Sequence, residues 1–161
     1  MPTRSLLILV GCLALVGCGQ EATESASEVP AAAPAPAAAP AMARKTSPPG
    51  AMVYFISPAD GEEVRSPVTV VFGLKGAGVA PAGFDLPNTG HHHVTVDREL
   101  ASVDTPIPAD AQHIHFGLGQ TETALDLSPG EHVLRLVLGD YLHTPHDPPL
   151  ISEPITVRVL E

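Results

Sequence analysis

From residue 51 onward the chain alternates short apolar runs with clusters of Pro, Gly and Asp, and no stretch carries a sustained helical period. The runs Met52–Ile56, Pro67–Leu74, His91–Asp97, His113–Leu118, Thr121–Leu127, Glu131–Leu138 and Ile155–Leu160 read as strands bounded by turn residues such as Ser57-Pro58-Ala59-Asp60-Gly61. In a strand, successive side chains point to opposite faces. Val68, Val70 and Phe72 therefore share one face, and so do His92, Val94 and Val96. Ile114, Phe116 and Leu118 form a third apolar row, and Thr123, Leu125 and Leu127 a fourth. Short strands at this spacing predict an all-β fold, an immunoglobulin-like antiparallel β-sandwich of about seven strands, with a small barrel as the alternative. The core would rest on Val, Leu, Ile and the four Phe, since the chain has no Trp.

The text before residue 51 is of another kind. Arg4 followed by the apolar run Leu6–Val16 has the layout of a signal peptide, too short to span a bilayer. It ends in Leu15-Val16-Gly17-Cys18, which resembles the lipobox of bacterial lipoproteins. Leu9-Val10-Gly11-Cys12 also fits but leaves only a short apolar run ahead of it. The resemblance implies that residues 1–17 are removed and that Cys18 becomes a lipidated N-terminus anchored in a membrane. Gly19 in place of Asp then tilts the expected address toward an outer membrane, with the domain facing the periplasm. Residues 18–50 read as an extended tether because their repeated Ala and Pro forbid a continuous helix and offer no core. The folded domain is expected over residues 51–161. Both cysteines precede residue 20, so it would hold no disulfide.

Eighteen acidic against eight basic side chains give a formal charge of −10. Such a surface repels nucleic acid and anionic lipid and attracts cations. Histidine placement sharpens this. His91 and His93 lie on the strand face opposite Val94 and Val96, and His113 and His115 on the face opposite Ile114 and Phe116. Two residues apart on a strand, both rings of such a pair can converge on one ion. A Pro-rich loop adds His143 and His146, with Asp97 and Asp147 as carboxylates able to orient ligands. Imidazole is the commonest metal ligand, and a nitrogen-rich set without thiolates favours Cu(II) or Zn(II) over Cu(I). His92 on the apolar face and His132 in Leu127-x-Pro-Gly-x-His132 read instead as structural, each hydrogen-bonded within the fold. No Gly-x-Ser-x-Gly elbow, cysteine nucleophile or phosphate loop appears, so no catalytic residue is assigned and no enzyme is expected. Two other readings stand beside a metal-binding module. One is an envelope structural or protein-interaction module with structural histidines, and the other is a hydrolase.

Five motifs carry a family resemblance. They are Ser57-Pro-x-Asp-Gly61, Asn88-Thr-Gly-His-His-His93, His115-Phe-Gly-x-Gly-Gln-Thr-Glu122, Leu127-x-Pro-Gly-x-His132 and Gly139-Asp-x-x-His-x-Pro-His-x-Pro-Pro149. Together they resemble the bacterial domain of unknown function numbered 4399, across essentially all of residues 52–160. That resemblance implies an exported or lipid-anchored domain. It brings no activity and no roles for the histidines.

Overall fold

A computed structural model of the protein describes residues 43–161; Arg4, Cys12, Cys18 and the tether up to residue 42 lie outside the described part. Among the described residues nine strands follow in chain order: β1 (Met52–Ser57), β2 (Glu63–Arg65), β3 (Val68–Lys75), β4 (Gly78–Val79), β5 (Thr89–Val96), β6 (His113–His115), β7 (Glu122–Leu125), β8 (Gly130–Gly139) and β9 (Ile155–Leu160). They form a three-stranded sheet, β1-β3-β7, and a six-stranded sheet, β2-β9-β8-β5-β4, with β6 also paired to β5. No helix occurs among the described residues.

The all-β sandwich follows from the alternation. Val68, Val70 and Phe72 of β3, Val94 and Val96 of β5, Leu134, Leu136 and Leu138 of β8, and Val157 and Val159 of β9 meet in one buried cluster drawn from both sheets. Burying one such aliphatic or aromatic side chain stabilises the fold by about 1.5–3 kcal/mol. The short strands β2 and β4 carry no alternation long enough to read, and both pair in parallel, so the larger sheet is mixed rather than purely antiparallel. Leu118 departs from expectation and is 83 % exposed. Strand β6 stops at His115, and the chain turns over Phe116–Gly119, where Gly119 N–H donates to the Phe116 carbonyl at 3.1 Å.

Two further corrections bear on the site. Residues 44–47, expected within the tether, pack on the fold: Thr46 bridges Asp147 in parallel, and Ser47 is buried. The histidine-bearing face of β5 is buried as well. His91, His93 and Thr95 are as buried as His92, Val94 and Val96, because the loops after β5 and β8 fold back over the outer face of the sheet. Val137 of β8 bridges Ile151, and Gly139 bridges Pro145, which runs the second loop along the edge of β8, and the Ile107 N–H donates to the His143 carbonyl at 2.9 Å, joining it to the first loop.

Candidate metal centre

Register brings the histidines together. In the β5–β6 ladder His93 lies opposite His115, and in the β5–β8 ladder His91 lies opposite Gly139, the last residue before the loop that carries His143. The absent side chain at Gly139 makes room: a Cβ there would stand 3.0 Å from His93 Nε2 and 3.3 Å from His143 Cα. Gly117 does the same beside β6, since a Cβ on it would meet the His115 ring at 2.3 Å. His143 comes from a loop, with φ of 69°. Non-glycine residues enter this left-handed region at a cost. Buried Asp140 holds it there: its Oδ1 accepts the N–H groups of Leu142 at 2.8 Å and Thr144 at 2.9 Å, and its carbonyl accepts that of His143 at 2.9 Å.

The result is a cluster of four imidazoles, with His93 and His143 the widest pair at 5.9 Å between centroids. Ring centroids are 4.8 Å apart for His91–His93, 5.0 Å for His91–His115, 4.9 Å for His91–His143, 5.0 Å for His93–His115 and 4.7 Å for His115–His143. Ligand nitrogens of His91, His115 and His143 all lie within 4.8 Å of one another, and His91 Nε2 is 3.0 Å from His93 Nε2. His91 and His93 form the buried floor, while His143 is half-buried and His115 faces water, so the cluster opens on one side.

The floor is electrically neutral. Burial, then the neighbouring His143, His115 and His92 rings, lowers the His91 pKa to about 4. Burial again, followed by His91, His115, His143 and His92, lowers that of His93 to about 2. His115 is also lowered, by burial and then by His143. Neutral imidazoles keep a lone pair free, and that is the state a metal requires. Nδ1 of His91 and Nδ1 of His93 are buried without any hydrogen-bond partner. Their Nε2 atoms face each other at 3.0 Å, and the cost of about 1–3 kcal/mol for a partnerless buried nitrogen therefore falls on the far side of each ring.

The remaining histidines go elsewhere. His113, though on the face of His115, is captured by Asp110, whose Oδ1 accepts its Nδ1–H at 2.8 Å and its backbone N–H at 2.9 Å. His146 is buried against Gly90 and reaches the Leu138 carbonyl at 3.5 Å, away from the four-ring cluster. Asp97 does not back the cluster; it accepts the Nδ1–H of His132 at 2.7 Å and the Val133 N–H at 2.7 Å. Asp147 is exposed and faces Arg44 at 3.9 Å. His92 packs on Phe72 with centroids 5.1 Å apart and donates Nδ1–H to the Gln120 carbonyl at 3.2 Å. His132 donates its second N–H to the Ser128 carbonyl at 2.9 Å, closing the corner between β7 and β8. Reading residues alone missed Gly117, Gly139 and Asp140 as parts of the site, although the Asp140-x-x-His143 spacing is that of a side-chain-capped turn.

Neither a curated protein nor a solved structure matches the chain. A family model described as a domain of unknown function (DUF4399) matches residues 70–160, a span that holds β5, β6, β8 and all four clustered histidines. With more than half of its length matched, the chain belongs to the DUF4399 family.

Proposed function

We propose that this domain is an extracytoplasmic metal-binding module that takes up one divalent transition metal, Cu(II) ahead of Zn(II), through His91, His93, His115 and His143. The observation that carries the reading is the convergence of the imidazoles: one nitrogen each of His91, His115 and His143 lies within 4.8 Å of the others, and His91 Nε2 stands 3.0 Å from His93 Nε2. His91 and His93 supply a floor fixed by the ladder with β8, and His115 and His143 complete the set at the open side. Metal–nitrogen bonds of about 2.0–2.1 Å put neighbouring ligands about 2.9 Å apart at right angles and about 3.3 Å apart in a tetrahedron. The 3.0 Å between the Nε2 atoms of His91 and His93 is a ring-to-ring hydrogen bond that an ion would replace with little movement of either ring. Cu(II) heads the affinity order for such nitrogen ligands. A bound ion would offer Lewis-acid or one-electron chemistry, but no residue beside the cluster is assigned a catalytic role.

The lipobox-like Leu15–Cys18 supports a membrane anchor, which would hold the module on the outside of the cytoplasmic compartment. An acidic chain concentrates cations near its surface and so favours this ligand class. The experiment is thermal melting of the full chain with Cu(II), with Zn(II) and with chelator. Cation at about a hundred times Kd adds roughly 2.7 kcal/mol if only the folded state binds. A melting point indifferent to both metals, with a protein retained on the chain in the presence of chelator, would favour the interaction-module reading instead.

A further inference from the structure

Where the expected tether meets the domain, it does not run free. Arg44 is held with its side chain 13 % exposed, donating Nε–H to the Pro145 carbonyl at 3.0 Å and a guanidinium N–H to the His146 carbonyl. The same guanidinium reaches Asp104 Oδ1 at 3.2 Å. Asp104 and His143 belong to segments already stitched together, since Ile107 N–H donates to the His143 carbonyl at 2.9 Å. Beside it, Lys45 pairs with Asp85 and stands 4.8 Å over the Tyr141 ring, two residues from His143. Backbone bonds from Ser47 N–H to the Asp147 carbonyl at 2.9 Å and from Asp147 N–H to the Lys45 carbonyl at 2.8 Å complete the fastening.

From this geometry we infer that residues 44–47 are a structural part of the metal centre. They form a strap that fastens the loop carrying His143, and Arg44 is a positioning residue for that imidazole. The inference rests on the metal reading above and names the part of the chain that tunes the site. Three of the four rings sit on paired strands, whose positions the ladders fix. His143 alone sits on a loop, in a conformation that its own backbone disfavours. Its place therefore depends on further contacts: Asp140 at the start of the loop, Ile107 on the His143 carbonyl and the strap at residues 145–147 supply them. A planar guanidinium that forks between two carbonyls and a carboxylate holds its partners in direction as well as in distance. The strap is also the first described stretch after the sequence that resembles a lipid anchor. Release of the strap would leave the three strand-borne ligands and remove the fourth.

The test uses the full chain as wild type, Arg44→Ala, His143→Ala and the double variant. Arg158→Ala, which loses an exposed pair with Glu63 in the six-stranded sheet, serves as control. In metal-free protein, amide exchange at Leu142, Thr144 and Asp147 is expected to rise at least about tenfold in Arg44→Ala and to stay unchanged in the control. With Cu(II) added, Arg44→Ala should bind about 10–100-fold more weakly, as outer-sphere changes at metal sites do. Its electron paramagnetic resonance spectrum should match that of His143→Ala, and the double variant should bind no worse than His143→Ala alone. Unchanged exchange, or raised exchange with unchanged affinity and spectrum, overturns the inference. A wild type that takes up no Cu(II) removes the metal reading, and with it the metal half of this inference, while the exchange data still decide the fastening.

Discussion

His91 and His93 are shut away from water as neutral rings, and this gives the domain a pH dependence of definite sign. Their folded pKa values lie below the ordinary 6.5, near 4 and near 2. Above pH 6.5 both states are neutral and the full stability is present. As pH falls below 6.5 the unfolded chain binds protons that the folded chain refuses, so stability drops. Each such ring costs about 1.4 kcal/mol per pH unit, until pH reaches its folded value. His132 runs the other way. Burial lowers its pKa, but the Asp97 bond and the Ser128 carbonyl outweigh that and raise it. Its contribution is full below 6.5 and is lost as pH rises through the raised folded value. Urea unfolding of chelator-treated protein should therefore show lower stability at pH 5 than at pH 7.5, and a steeper loss in His132→Ala. Equal stability at both pH values would contradict the neutral floor.

At the scale of strands and loops, glycines separate site from scaffold. A methyl on Gly117 would collide with the movable His115 ring, whereas one on Gly90 would lie 2.4 Å from the Gly139 carbonyl in the neighbouring backbone. Gly117→Ala is thus expected to cost under about 1 kcal/mol of stability yet weaken metal binding at least about tenfold, by moving His115 aside. Gly90→Ala should cost about 1–3 kcal/mol through the ladder itself. Chemical unfolding beside metal titration of each variant checks both. The same scale shows how far the sequence could be read. Period two placed Val68, Val70 and Phe72 in the core and paired His91 with His93, because strand alternation is fixed by covalent geometry. It also put His113 beside His115, but period says nothing of Asp110, whose turn takes His113 away. The choice between His143 and His146 was not legible, since a Pro-rich loop has no period. Nor was the burial of both faces of β5, because the covering loops carry no pattern that announces where they fold back.

Over the whole molecule, two sheets close on a core that does not include the histidine cluster, so stability and binding should be separable. Leu136, fully buried at the centre of β8, tests the first: Leu136→Ala should lower unfolding free energy by about 2–5 kcal/mol. The charge of −10 favours cation capture without choosing the site. The choice comes from the six-stranded sheet, which brings β5, β6 and the end of β8 side by side, so the pair 91 and 93 meets residues 115 and 143 from more than twenty positions away. The most direct test is titration calorimetry of Cu(II) into wild type, His93→Ala, His115→Ala and His132→Ala at neutral pH. One ion per chain is expected in wild type, with binding lost or strongly weakened in His93→Ala and His115→Ala. His132→Ala should be less stable but bind like wild type. Equal binding by all four proteins, or none by the wild type, would contradict a metal centre built from these four histidines.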